Sequence, residues 1–437
     1  MTDQERTKSD AAQGCGSCSR GCAVPLVHCT QCGLPETYET IEFNEEGVCN
    51  ICRQAQFKRE QVDWAARGVE FEALIEKYRG KSDYDCIVPF SGGKDSSFTL
   101  AHLVLKHRIK PLVIQFNHGF MRQTLLENNE RTFKRLGVDV LTFTPNWKLV
   151  RRVMLEALIR KGDFCWHCHT GIFAYPMQLA VKLSVPLLVW GEPSSEYTAY
   201  YDYRDNEVEE VDETRFNRFI NLGVTAEDMA GMISHDFGFD PRDLAPFTYP
   251  PVRELRRAKV RSICLGSYIP WDTKSQSEFI SKELGWKGEQ VEGMPWDVYP
   301  YEKIECYMQG VRDYIKFLKR GYGRVTQMAA LDRRRGRMDA QTATNLIEKH
   351  EGFKPPSLAL FLDYLSITEE EFHQIVFKTV VPPHRPDLST MTEAPRTWDY
   401  ERWYRETTRL QLRKPARRPD EGDAAPDVAT DFAGAAK

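Results

Sequence analysis

The chain has 437 residues, enough for two or three domains of ordinary size and a sizeable core. Lys and Arg total 59 against 63 Asp and Glu, a formal net charge of −4, and a pI near 6.3 excludes the global basic field of a nucleic-acid coat. Hydrophobic residues at 41% and charged ones at 28% suit neither a disordered chain nor a membrane protein, and the longest apolar runs, such as residues 185–190, fall far short of the roughly 20 needed to cross a bilayer.

Residues 1–24 are polar and without period, which predicts a flexible tail. Its Cys15, Cys18 and Cys22 are either a fortuitous cluster or a second site. No apolar run stands behind a basic start, so no secretory signal and a cytoplasmic location are expected. The 12 cysteines fall mostly in CxxC pairs on a long chain, which favours metal or redox chemistry over a disulfide framework. In residues 25–60, Cys29-x₂-Cys32 and Cys49-x₂-Cys52 stand 16 residues apart, the spacing of a zinc ribbon. Each CxxC turn aims two sulfurs at one point, and four thiolates leave no open position, so the ion would be structural. The intervening TIEFNEEGVC reads as a hairpin with a Gly turn.

Residues 61–295 alternate. YDCIVPF (84–90), PLVIQF (111–116), VDVLTF (138–143) and PLLVW (186–190) are short apolar runs. Between them lie helical stretches over residues 96–107, 122–136 and 171–183. This pattern predicts βαβ units and a parallel sheet with both faces covered, its ligand at the C-terminal ends of the strands. A charged helical region follows over 296–412. Residues 413–437, rich in Pro, Ala and charge without an apolar face, predict a disordered tail. No internal repeat is present.

Ser91-Gly92-Gly93-Lys94-Asp95-Ser96 falls between the first buried strand and its helix. The glycines allow a tight turn that brings N–H groups to an anion, and the helix N-terminus adds partial positive charge. Ser91 and Ser96 supply hydroxyls and Lys94 a cation, a set suited to pyrophosphate, while Asp95 caps the helix or holds Mg²⁺. The alternative is an ordinary Gly-Gly turn with a capping Asp, but a fixed SGGxDS string arises by chance in such a chain with a probability on the order of 10⁻³. It is not a GxxxxGK[ST] loop.

Cys165-Trp166-His167-Cys168-His169 is a third cluster. Its two thiols and two imidazoles either bind a metal, shape an acceptor pocket or pack at a helix start. Cys86 and Cys306 read as core. Lys316, Lys319, Arg320, Arg324, Arg333, Arg334, Arg335 and Arg337 place eight cations within 22 residues, either a bidentate diphosphate grip or a solvated helix face. Asp236 and Asp243, in the poorly periodic stretch 222–250, read as loop residues.

The loop resembles that of the PP-loop ATP pyrophosphatase superfamily, whose SGGxDS pattern it matches throughout. The resemblance implies a Rossmann-like, adenine nucleotide alpha hydrolase-like fold that binds ATP with Mg²⁺, transfers AMP to a substrate oxygen and releases pyrophosphate. It also implies adenosine contacts at Asn117 and Gly119 (NHG) and at Gly191 (WGEP), with strand-end turns the competing reading. Some PP-loop tRNA-thiolating enzymes hold an iron–sulfur cluster on a CxxC and a distant Cys, which would enlist Cys264 beside Cys165 and Cys168, a reading not favoured here.

Over residues 25–375 the combination resembles the N-acetyl sugar amidotransferase family of bacterial surface-polysaccharide pathways. The carrying segments are the CTQCGLPETYETIEFNEEGVCNICR ribbon, VPFSGGKDSS, GDFCWHCHTGIFAYP, LGSYIPWD, YIKFLKRGYGRVTQ and RRGRM. That family is associated with converting the acetamido group of a nucleotide-linked amino sugar into an acetamidino group, in glycans such as the O-antigen of lipopolysaccharide. Lys94, Asp95 and Ser96 would then carry the adenylation, and His167, His169 and Glu192 are candidates for a general base. Residue 2 is Thr and no GxCxG elbow occurs, so glutamine hydrolysis is expected from a separate glutaminase and barrel subunit resembling those of imidazole glycerol phosphate synthase. A tRNA-thiolating PP-loop enzyme is the rival, disfavoured by overall acidity. A non-catalytic zinc-ribbon adaptor is a third reading. No nucleic-acid or membrane partner is favoured.

Overall fold

The computed structural model describes residues 20–191, 216, 220–237 and 239–394. The four apolar runs become strands β1 (Cys86–Phe90), β2 (Pro111–Phe116), β3 (Asp139–Phe143) and β4 (Leu187–Trp190), joined by β5 (Arg261–Cys264). They form one parallel sheet in the order β3-β2-β1-β4-β5. Strands β1, β2 and β4 are buried along their whole length, which is why they read as unbroken apolar runs. Strand β3 lies at the edge and is largely exposed. β5 escapes sequence reading because RSIC is four residues long and opens on an arginine.

Helices cover both faces. The intervening helices are α1 (Asn50–Gln61), α2 (Trp64–Tyr78), α3 (Lys94–Ala101), α4 (Gln123–Leu136), α5 (Trp147–Lys161) and α6 (Trp166–Lys182). Then come α7 (Ala226–Phe237), α8 (Val252–Arg257) and α9 (Thr273–Leu284). Val88, Phe90, Val113, Val189 and Ile263 pack beneath residues of α2, α3, α4 and α9, whereas Ile87, Leu112, Ile114 and Leu188 pack with Met177 and Ala180 of α6. This alternation along each strand is the period of two that a covered sheet requires. The C-terminal helices are α10 (Gln309–Arg320), α11 (Arg324–Arg334), α12 (Ala340–His350), α13 (Ser357–Leu365) and α14 (Glu369–Phe377).

The chain runs from β1 outward through β2 to β3, then returns to the other side of β1 for β4 and β5. The switch point therefore lies between β1 and β4, where an open α/β sheet offers a crevice. Pro89 stands in β1 although proline lacks an N–H for a central ladder. The arrangement tolerates it: β1 pairs with β2 at five positions, from Cys86–Pro111 to Phe90–Gln115, but with β4 only at Ile87–Leu188.

Several local expectations change. α6 begins at Trp166, five residues before the expected 171. α3 passes into a π-turn, His102–Lys106, rather than continuing as a regular helix. The stretch 222–250 is not loop: it holds α7, which contains Asp236, and the 3₁₀ turn Pro241–Phe247, where Asp240 and Asp243 form a reciprocal cap. The tail ends before residue 24, because the Gly21 N–H donates to Thr390 Oγ1 at 2.6 Å, Ala23 N–H to the Arg385 carbonyl at 2.9 Å, and Arg20 lies over the Phe353 ring at 4.0 Å. Cys15, Cys18, Glu192 and residues 413–437 lie outside the described residues. Among the described residues no helix is long and apolar enough to cross a membrane.

Close approach of α6 to the sheet depends on Gly171, where a Cβ would collide with the ring of Phe116 on β2. Gly171→Val should cost about 1–3 kcal/mol by overpacking, read as a lower urea midpoint with an unchanged slope; an unchanged midpoint would contradict this packing.

Candidate active site and metal centre

The SGGKDS turn leaves the C-terminal end of β1 at the switch point and runs directly into α3. Gly92 has φ +89°, and a Cβ there would collide with the Asn129 amide. A Cβ on Gly93 would collide with the Glu305 carboxylate. Gly92 is required by its backbone conformation, whereas a Cβ at Gly93 would demand that the Glu305 side chain swing away. The loop's donors are internally engaged: Gly92 N–H donates to Ser96 Oγ at 3.1 Å and Gly93 N–H to Ser91 Oγ at 3.3 Å. The two hydroxyls lie 3.2 Å apart. From behind, the indole Nε1–H of Trp286 donates to the Gly92 carbonyl at 3.1 Å.

Lys94 is buried, and its ammonium is held between Asp95 Oδ2 at 2.8 Å and Glu302 Oε2 at 2.9 Å. Burial opposes ionisation of Glu302, but the charges of Lys94, Lys303 and Arg324 outweigh it and hold the carboxyl at about 2. The other Asp95 oxygen, Oδ1, is buried and has no hydrogen-bond partner among the described residues. A buried carboxylate oxygen left without a donor at the mouth of a phosphate-type loop fits a divalent cation.

Gly191, after β4, approaches the same turn: a Cβ there would lie 3.4 Å from the Asp95 carbonyl and 3.2 Å from Thr99 Oγ1. Asn117 and Gly119 sit beyond β2 in a tight turn in which Gly119 N–H donates to Asn117 Oδ1 at 3.0 Å. Gly119 has φ +94°, and a Cβ would collide with the Trp147 indole.

The CWHCH cluster opens α6, with Cys165 preceding its first residue. His167 Nε2 lies 3.4 Å from the His118 carbonyl, which ties the cluster to the NHG turn. Burial lowers His118 and His167 to about 4 and His169 to about 3, so the imidazoles are neutral at pH 7. Cys264, the third sulfur of the iron–sulfur reading that the sequence does not favour, packs among Ile87, Met177 and Trp190. Cys306, read from sequence as core, is only half-buried and shares the electrostatic neighbourhood of Cys165 and Cys168. Burial pushes these thiols up, Cys168 to about 12 and Cys306 to about 11, while Arg312 acts against it.

Cys29, Cys32, Cys49 and Cys52 form a buried group whose sulfurs all lie within 4.8 Å of one another. Sγ separations of 3.9 Å for Cys29–Cys52 and 3.7 Å for Cys32–Cys49 fit an ion about 2.3 Å from each sulfur, whose tetrahedral edge is about 3.8 Å. Amides point at the sulfurs: Cys49 N–H donates to Cys29 Sγ at 3.2 Å and Cys52 N–H to Cys49 Sγ at 3.3 Å. Donors so aimed stabilise thiolate charge. Between the pairs the chain turns as a short hairpin, with Phe43 bridged to Cys49 and Gly47 N–H donating to the Asn44 carbonyl.

The basic run is neither a solvated face nor an open anion grip; it joins parts of the molecule. Arg320 and Lys316 meet Glu39 at 3.4 and 4.0 Å, Lys319 donates to the carbonyls of Lys161 and Gly162, and Arg324 lies 3.7 Å from Glu302. Arg335 and Arg337 meet Asp272 at 2.5 and 2.7 Å. Arg334 is buried beside Cys32, Cys49 and Cys52, where its charge offsets that of thiolates, and Arg333 reaches Gly33. Sequence reasoning missed Asn129, Glu302 and Glu305. No local motif marks them, since only the fold carries them to the loop.

Residues 297–406 match a family model described as the C-terminal domain of WbpG-like LPS biosynthesis proteins. Uncharacterized protein MJ1599 of Methanocaldococcus jannaschii is 27% identical over 157 residues, 36% of this chain; the match spans just over half, 55%, of that relative's length. A solved structure, the U34-tRNA thiolase NcsA from Methanococcus maripaludis with its 4Fe–4S cluster, aligns with 72% of this chain and 88% of its own at 13% identity and a TM-score of 0.28.

The double substitution Cys32→Ser, Cys52→Ser should abolish metal binding at the four-sulfur group and lower the melting temperature. Atomic emission on the purified full chain checks this, with retained stoichiometric zinc the contrary result. Gly92→Ala should cost at least the roughly 1–2 kcal/mol of a left-handed non-glycine residue, measured by urea unfolding; equal stability would contradict the loop geometry.

Proposed function

We propose that the protein is an ATP-dependent, AMP-forming amidotransferase acting on a nucleotide-linked N-acetyl amino sugar in bacterial surface-polysaccharide synthesis. The observation that carries the enzymatic part is the orphaned Asp95 Oδ1 at the switch-point loop. The match of residues 297–406 to an LPS-biosynthesis domain supports the pathway.

An amide oxygen is a poor leaving group. Attack of the acetamido oxygen on the α-phosphorus of ATP forms an O–P bond, breaks the α–β bridge and expels pyrophosphate, and release of the amide N–H proton to solvent leaves a neutral O-adenylyl imidate. Ammonia then adds to the imidate carbon, loses a proton and displaces AMP, giving the acetamidine. Asp95 would hold Mg²⁺, which when bound neutralises charge on the phosphates. Phosphate binding would draw the Gly92 and Gly93 amides away from the oxygens of Ser96 and Ser91. The two hydroxyls would turn their O–H groups from one another and from the Gly93 carbonyl to the phosphate as additional donors. Gly191 leaves space where the adenosine would cross from β1 to β4. His167 and His169, both neutral, are the candidates to take the proton from ammonia. The four-sulfur centre would hold structural Zn²⁺. Ammonia would come from a separate glutaminase and its barrel partner.

The test is mass spectrometry of nucleotide sugars incubated with the protein, ATP, Mg²⁺ and ammonium. The expected product is one mass unit lighter than its substrate, NH replacing O, with AMP and pyrophosphate in equal amounts, and Asp95→Asn should abolish it. ADP as the product, or bound tRNA acquiring sulfur, would overturn the proposal.

A further inference from the structure

We propose that Glu302, outside the sheet and within the C-terminal family-matched segment, is the positioning residue that sets Asp95 for its divalent cation. The inference rests on the ATP–Mg²⁺ reading above. A carboxylate that binds a cation through one oxygen performs best when the other is fixed by a donor. Lys94 supplies that donor at 2.8 Å from Asp95 Oδ2, which leaves Oδ1 for the cation. An adjacent lysine on a flexible four-carbon stem is a poor anchor unless its own ammonium is held. Glu302 holds it as an ion pair at 2.9 Å whose geometry is not that of a hydrogen bond, and the Glu302 side chain is 2% exposed. Arg324, at the first position of α11, lies 3.7 Å from the second Glu302 oxygen. The order Arg324–Glu302–Lys94–Asp95 alternates in sign through the interior and ends on the oxygen without a donor. Such a chain is stable only while every member is present, because a buried charge stripped of its partner is costly.

Glu302 does not touch substrate; it acts through Lys94. Its removal should therefore weaken cation binding more than nucleotide binding. The full-length protein, loaded with an ATP analogue carrying a non-cleavable α–β bridge, is titrated with Mn²⁺, and bound Mn²⁺ is followed by electron paramagnetic resonance. Glu302→Gln should raise the Mn²⁺ dissociation constant about 10-fold or more while changing cation-free analogue binding, read by equilibrium dialysis, by less than about twofold. Glu302→Asp should recover part of the loss. Arg324→Gln, which loosens Glu302 without removing it, should act in the same direction by a smaller factor and keeps the test valid if Glu302→Gln fails to fold. Unchanged Mn²⁺ affinity in whichever variants fold, or an equal loss of cation-free analogue binding, would overturn the inference. Failure of the wild-type protein to bind the analogue at all would instead overturn the phosphate-loop reading beneath it.

Discussion

The buried ion pair between Lys94 and Glu302 is the contact on which the arrangement turns. An ammonium taken out of water without a counter-charge costs several kcal/mol, and the interior loop lysine is compensated by its neighbour Asp95 at 2.8 Å and by a carboxylate that the C-terminal segment delivers, Glu302 at 2.9 Å. Glu302 in turn is tolerated because Lys94, Lys303 and Arg324 surround it. The glycine turn at β1 and the helices beyond residue 300 are therefore not separable modules. The phosphate-type loop is closed from above by residues some two hundred positions downstream.

The same dependence extends to the metal centre. α11 begins at Arg324, beside Glu302, and ends at Arg334, beside the four cysteines. Its intervening residues pack both ways: Val325, Met328 and Leu331 join the main core, while Ala330 joins the ribbon's core with Tyr322. Tyr38 stacks on Tyr322 at 5.1 Å and accepts from Gln327 at 3.0 Å. A short ribbon has too little apolar surface to hold itself together. Here four sulfurs and one helix face supply the rest, and half of the cations that look like a ligand-binding stripe in the sequence, Lys316, Arg320, Arg333 and Arg334, are consumed in docking it.

Much of the sheet was legible because its strands are buried on both faces and bounded by turns: PLVIQF is β2 residue for residue. The four-cysteine group was legible because CxxC spacing is a local property of the chain. What depended on three-dimensional proximity was not. Cys306 stands 138 positions after Cys168, and nothing in YEKIEC marks it as a neighbour of the CWHCH cluster. Glu302 and Glu305 have no period or motif of their own. Asp95 was assigned two alternative roles from sequence; the structure shows one oxygen tied by Lys94 and the other without a donor. The stretch 222–250 lacked a clear period, yet Ala226–Phe237 is helical because Met229 and Ile233 find an apolar partner in α5 and Phe247.

The central claim is that the loop directs cleavage between the α and β phosphorus atoms so as to activate an amide oxygen. Following heavy oxygen placed in the acetamido group of the nucleotide sugar tests it most directly. The account predicts that the label leaves the sugar and appears in the phosphate of AMP, one atom per amidine formed. Label retained in the sugar product, or recovered in inorganic phosphate beside ADP, would contradict it.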